Sequence, residues 1–270
     1  MEDLTLQSEL YNNLKFNMQK VLFEFPENDI AQLSRVFDAA LPECESMLNG
    51  FQDAIVTMTA QITKEIPLPT VNKELTIAFV GDSLTSDRES YFNVIRYLFR
   101  NEKRLNLIDA AISGFKTDDV ISRFFITILN HRPDITHILI GTNDLRTNDH
   151  TGGKPFISLT EMRKNLGYLI STLQNYGSRV VVSTIPPVSV TGIKRRFPDH
   201  HWTYNLEEIR DWNEIIAETT AKFGAGLNDM RPVYDGYKAE ELLLKDGLHL
   251  NHLGQLLLAE NVLSVIGSYF

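Results

Sequence analysis

Cysteine is nearly absent from this 270-residue chain, with Cys44 its one representative. A lone cysteine forms no internal disulfide, so stability must come from a packed core, and the usage fits a reducing, cytoplasmic setting. The plain reading of Cys44 is a small buried apolar side chain. No run of about 18 apolar residues occurs, which argues against a membrane-spanning helix. The opening Met1-Glu2-Asp3-Leu4-Thr5 has neither the basic start nor the apolar stretch of a secretory leader. Basic excess is missing too: the net charge is −9, and a binder of phosphate backbones needs the opposite sign, so no nucleic acid partner is expected. No Gly-x-Gly-x-x-Gly or phosphate-loop Gly-Lys-Ser/Thr follows a strand pattern, and no set of His, Cys, Asp and Glu has metal-ligand spacing. The chain therefore predicts neither a nucleotide nor a metal cofactor.

The charge that is present is unevenly placed. Residues 1–70 hold eleven Asp and Glu against four Lys and Arg, a net of −7, which leaves −2 for the other 200. The first 65 residues carry helical periodicity and no strand. Cys44, Leu48, Phe51, Ile55, Met58 and Ile62 alternate spacings of four and three, which stacks them on one helix face. Ile30, Leu33 and Phe37 mark a shorter helix with Pro26 and Asn28 as start signals. Leu10, Leu14, Met18, Val21 and Phe25 predict a third. Such helices cannot bury their apolar faces alone. They must pack together, on the next domain, or on a second subunit as a homo-oligomer, and the same segment is a candidate active-site lid. Pro67 and Pro69 mark a short extended linker. The expected organisation is a helical extension over 1–72 and an α/β unit over 73–270.

From residue 74 the pattern changes. Leu75–Val80, Leu105–Ile112, Ile135–Ile140 and Val180–Ile185 are continuous apolar runs, as expected of strands covered on both faces. Helical stretches near 88–100, 117–129, 159–176, 205–223 and 252–266 separate and follow them, with a short strand near 225–229. This alternation predicts a parallel sheet with helices on both sides. Ligands bind such sheets beyond the carboxyl ends of the strands.

Four segments fall at those ends or near the C-terminus. Gly81-Asp82-Ser83-Leu84 follows the first strand, where a serine hydroxyl can be exposed at the start of a helix; alone, Ser83 is equally a helix N-cap. Asp246 and His249 in Asp246-Gly247-Leu248-His249 precede an apolar helix. From a turn there, Asp246 can orient His249 toward one site, though a solvated turn has the same composition. His252 is the nearest rival base, with His200 and His201 behind it. Acyl transfer also needs donors for an oxyanion. Gly114 offers an accessible backbone N–H, Asn143 in Gly141-Thr142-Asn143-Asp144 a side-chain amide, and Ser83 its own N–H. In isolation Gly114 reads as a loop glycine and Asn143 as a turn residue.

Taken together, these segments resemble the SGNH, or GDSL, family of esterases and lipases, named for Ser, Gly, Asn and His residues matched here by Ser83, Gly114, Asn143 and His249. The resemblance spans about residues 74–266. It implies a flavodoxin-like sheet of five parallel strands, an open active site, and ester hydrolysis without metal through an acyl-enzyme. It does not reach residues 1–72. The implied roles are Ser83 as nucleophile, His249 as general base and acid, Asp246 as its orienter, and Ser83, Gly114 and Asn143 as the oxyanion hole. The expected substrate is a small-molecule or carbohydrate ester with a short acyl group, such as O-acetyl. The stretch 186–204, with Lys194-Arg195-Arg196 and His200-His201-Trp202, and the insert Arg146–Phe156 with Gly152-Gly153 are expected to border the site. The same residues would serve an acyltransferase or thioesterase, and a non-catalytic binding protein on this fold is the alternative of another class.

Overall fold

Apolar runs that cannot reach water on either face form the centre of a parallel sheet, whereas the run 105–112, expected to be covered on both faces, supplies an edge strand that stays partly open to solvent. The structure, a computed structural model, describes residues 9–22, 29–148 and 153–270. Its strands are β1 (Leu75–Gly81), β2 (Leu105–Ala111), β3 (Ile135–Leu139), β4 (Thr147–Asn148), β5 (Arg179–Ser183), β6 (Trp202–Thr203) and β7 (Gly226–Asn228). Five form one sheet in the order β2-β1-β3-β5-β7, every neighbouring pair parallel. This is the expected flavodoxin-like order. β4 and β6 form a separate two-residue antiparallel ribbon.

Helices cover both faces. Tyr91–Leu98 packs with Leu41–Glu65 and His252–Ile266, whereas Leu159–Asn175 packs with Thr117–Thr127 and Leu206–Phe223. The central strands β1 and β3 are buried along almost their entire length. Their register matters for function: Gly81 aligns with Ala111 on one side and with Leu139 on the other. The three strands that precede Ser83, Gly114 and Asn143 thus stop on one line.

The long helix Leu41–Glu65 buries Cys44, Phe51, Ile55, Met58 and Ile62, the face its periodicity predicts. Ile55, Met58 and Ile62 belong to the main core, while Cys44 and Phe51 join Leu14 and Leu33 in a smaller one. Each such side chain contributes roughly 1.5–3 kcal/mol by leaving water. The face is consumed within the chain, so its burial does not call for a second subunit. The short helix runs Ile30–Val36 and is N-capped by Asp29, whose carboxylate accepts from Gln32 N at 3.0 Å; Pro26 and Asn28 lie outside the described residues. One expectation fails here. The continuous helix drawn through Leu10, Leu14, Met18 and Val21 is broken into Glu9–Lys15 and Gln19–Leu22, because Asn17 takes a left-handed φ of 50°; Phe25 lies outside the described residues. The stretch 186–204 also holds an unexpected helix, Val190–Arg196, on which Lys194 and Arg195 are exposed.

The turn after β3 depends on Gly141, whose φ is +121°. A Cβ there would lie 2.2 Å from Nε1 of Trp212, a fully buried indole that donates to the Ile140 carbonyl at 3.2 Å. Gly141→Ala is expected to destabilise the fold by about 3 kcal/mol through strain and overpacking, read as a lower urea midpoint at unchanged slope. An unchanged midpoint would mean that Trp212 yields without cost.

Candidate active site

Ser83 stands two residues beyond the end of β1 and opens a single helical turn, Ser83–Ser86. Its N-cap is Asp82, which accepts from Leu84 N at 2.9 Å, so the sequence reading of Ser83 as the cap does not hold. Nor does a long helix begin here: the next one starts at Tyr91, capped by Ser90, and one turn supplies little dipole field. Ser83 is the one residue from Gly81 to Ser90 that is not buried.

Across the cleft, the loop Leu243–Leu250 is closed by a bridge between those two residues and by Leu244 N donating to His249 O at 2.7 Å. Inside it, one oxygen of Asp246 accepts from the backbone N–H of Leu248 and His249 at 2.9 and 3.0 Å. The other lies 2.7 Å from His249 Nδ1. His249 Nε2 then lies 2.9 Å from Ser83 Oγ. The turn that holds Asp246 is therefore the same turn that aims His249. Burial opposes charge on the imidazole, but the charge and hydrogen bond of Asp246 outweigh it and raise its pKa. Burial opposes charge on Asp246 as well, yet His249 and the two backbone donors hold its carboxyl at about 2. The rival histidines are elsewhere. His252 Nε2 lies 3.2 Å from Glu89, His200 packs its ring on Trp202 at 4.5 Å, and His201 is exposed.

Gly114 and Asn143 reach the same edge. Gly114 has φ +82°, a conformation suited to glycine, and a Cβ there would meet nothing within 4 Å. Asn143 is 6% exposed, and its amide donates to Phe115 O at 3.1 Å and, more weakly, to Asp82 at 3.4 Å. The structure thus links Asp246, His249 and Ser83 by hydrogen bonds and ties Asn143 to Asp82 beside Ser83, while Gly114 is placed by the end of the neighbouring strand β2. Several neighbours were not singled out. Asp144 accepts from the N–H and hydroxyl of Thr117 at 3.0 and 2.5 Å, tying the Asn143 turn to the start of helix Thr117–Thr127. Burial pushes Asp82 up to about 7 and Asp144 up to about 6, each partly offset by its hydrogen bonds. Both stood in the quoted motifs, so their signal was available. Phe16 also enters the site, with its ring stacked on that of His249 at 4.1 Å.

Of the two loops expected to border the site, the stretch after β5 touches it. Ser189 N donates to Gly247 O at 2.7 Å, so the stretch after β5 rests directly on the Asp246–His249 turn. The Arg146 guanidinium lies 4.3 Å from the Trp202 ring and 4.9 Å from that of Phe156. Gly152 lies outside the described residues.

The GDSL-like lipase/acylhydrolase family model matches residues 79–257. The chain belongs to this family. The match contains Ser83, Gly114, Asn143, Asp246 and His249 and leaves the preceding helices outside it. This GDSL-family chain is 26% identical over 174 residues to the protein named uncharacterized lipoprotein YqeF of Bacillus subtilis (strain 168), covering 59% of this chain and 70% of that one. A lipase/acylhydrolase from Enterococcus faecalis superposes with a TM-score of 0.59 at 22% identity, over 72% of this chain and 96% of that one. A variant of Axe2, an acetylxylan esterase from Geobacillus stearothermophilus, gives 0.57 at 15% identity, over 72% and 94%. The likeness to the solved structures is one of fold. As a member of the family, the chain is an ester hydrolase. Among the described residues no helix is long and apolar enough to cross a membrane.

Neutral His249 is the form that can accept a proton, and its pKa is raised. The kcat/KM for p-nitrophenyl acetate is therefore expected to fall on acidification through an apparent pKa above the ordinary histidine value of 6.5. In Asp246→Asn burial is opposed by the more distant Asp87 and Asp82 alone, so the acid limb should move to lower pH while kcat drops by about 10³–10⁴-fold. A limb that stays in place would assign the titration to another group.

Proposed function

We propose that this ester hydrolase removes short acyl groups, with O-acetyl esters of carbohydrates as the favoured class, through an acyl-enzyme on Ser83. The observation that carries the reading is the unbroken hydrogen-bonded chain Asp246–His249–Ser83, ending on the one accessible side chain of its segment. Ser83 Oγ attacks the ester carbonyl carbon while His249 Nε2 takes its proton. The carbonyl oxygen becomes an oxyanion, received by the N–H groups of Ser83 and Gly114 and by the Asn143 amide. The long Asn143–Asp82 contact is the one such an oxyanion would displace. His249 returns the proton to the departing alkoxide, and Asp246 stabilises the imidazolium between the two transfers. Water then repeats the sequence on the acyl-enzyme and releases the acid.

The aromatic and cationic cluster of Arg146, Phe156 and Trp202, on the two loops expected to border the site, supports a sugar alcohol, since apolar ring faces pack well on planar side chains. Phe16, covering one face of His249, leaves little room beside the imidazole and supports a short acyl group. The buried lone thiol of Cys44 is in keeping with a cytoplasmic site of action.

A fluorophosphonate probe followed by intact-mass analysis tests the nucleophile. One adduct is expected on the wild type and none on Ser83→Ala, with loss of p-nitrophenyl acetate turnover in a folded variant; normal turnover by Ser83→Ala would sink the assignment. Asn143→Ala should lower kcat by roughly 10²-fold, and an unchanged rate would mean that the oxyanion is held by other donors.

A further inference from the structure

The apolar spacing Leu10, Leu14, Met18 calls for a helix that runs on past residue 15, yet the chain leaves it there. Leu14, Lys15, Phe16 and Asn17 are all buried in succession, which a surface helix with one apolar face does not do. The carbonyls left open at a helix C-terminus need outside donors, and here the α/β part supplies them. Arg88 Nε donates to Leu14 O at 2.8 Å, and Arg88 N to Lys15 O at 2.8 Å. Ser113 Oγ donates to Phe16 O. The Lys15 ammonium is 1% exposed with its residue and sits between Asp87, at 3.0 Å, and Glu89. Glu89 in turn pairs with His252 at 3.2 Å. The Asn17 amide donates to Ser86 O at 2.6 Å, and Lys20 pairs with Asp109 on β2.

These anchors are neighbours of the catalytic residues. Ser86 closes the turn that Ser83 opens, Asp87, Arg88 and Glu89 come next in the chain, and Ser113 precedes Gly114. What they hold in place is Phe16, 8% exposed, with its ring 4.1 Å from that of His249 and inclined by 28°. Imidazole orientation about its outer torsion is broad and soft unless packing fixes it. Asp246 fixes one edge of the ring, and the Phe16 face fixes the plane.

We propose that the strap Leu14–Lys20 is part of the catalytic site, and that Phe16 is a positioning residue for His249. Its ring keeps the imidazole in the plane in which Nδ1 meets Asp246 and Nε2 meets Ser83. It also shuts water off from that face, and its π-cloud lies against the imidazolium formed after proton transfer. The family match starts at residue 79, so this chain completes the site with residues from outside that match. The inference rests on the reading of Ser83 as nucleophile.

Phe16→Tyr, Phe16→Leu and Phe16→Ala, each checked by thermal melt, test it in the full chain. With p-nitrophenyl acetate, Phe16→Ala should lose about 10- to 100-fold in kcat with KM within about 2-fold, and Ser83 should label with fluorophosphonate correspondingly more slowly. Phe16→Tyr keeps an aromatic face and should retain kcat. Phe16→Leu keeps the bulk that holds the strap and loses the face, so it decides the matter if Phe16→Ala does not fold. Wild-type kcat in folded Phe16→Leu, or a rise in kcat in Phe16→Ala, would overturn the positioning role. The His249 ring protons report the stacking independently: they should be shifted upfield in the wild type and return in Phe16→Leu. A wild type showing that shift without any labelling of Ser83 would overturn the reading of Ser83 instead, and the catalytic role of Phe16 with it.

Discussion

A parallel sheet buried on both faces drives its polar chemistry to the strand ends, and in this protein the ends of the three neighbouring strands β2, β1 and β3 coincide. Because Gly81, Ala111 and Leu139 share one register line, the residues that come within a few positions of them converge without any long loop. Ser83, Gly114 and Asn143 occupy those positions. The Asp246–His249 turn is brought to them by helix His252–Ile266, which packs against Tyr91–Leu98 and closes the same face of the sheet. The geometry of the candidate site is thus inherited from backbone pairing and needs few dedicated contacts of its own.

The sheet interior departs from this rule most extensively in one hydrogen-bonded chain whose members are all partnered. Beneath the site, Thr85, Tyr91, His137, Ser183 and Asn228 form a hydrogen-bonded chain with contacts of 2.7–3.0 Å. Burial pushes His137 down to about 3, so it stays neutral and can accept on one nitrogen while donating from the other. An unpaired member of such a chain would be costly in this setting. Linking the Ser83 turn to β3, β5 and β7, it gives that turn a defined place against the sheet. Lys15 obeys the same logic at the surface of the α/β part: a charge that deep is tolerable only with carboxylates on it.

Sequence reasoning succeeds where physics is local. Continuous apolar runs mark β1, β3 and β5 because burial on both faces leaves no alternation to read, and the Leu41–Glu65 helix announces its buried face through spacings of three and four. The segments of the candidate site were legible because each is a short turn with its own chemistry. What escaped has a common cause. The break at Asn17 is hidden because Leu10, Leu14 and Met18 keep a helical period across it; only the donors Arg88 and Ser113, distant in sequence, make leaving the helix worthwhile. Asp82 takes the cap from Ser83 because a carboxylate one residue earlier reaches Leu84 N, which composition alone cannot rank. Arg146 meets Trp202 only through the β4–β6 ribbon, two residues long and without periodicity.

The stacking of Phe16 on His249 joins residues from nearly opposite ends of the chain, and this has a consequence for assembly. Contacts so distant in sequence form late, because the loop they close must first lose its freedom. The strap has no site to occupy until the segment 86–89, β2 with Ser113, and the Asp246–His249 turn are already in position, since its partners lie on all three. During synthesis, therefore, Phe16 emerges early and must wait for His249. A nascent chain that has made its sheet but not yet the turn before helix His252–Ile266 leaves Phe16 without the ring it packs on, so the stacking records that both segments have arrived.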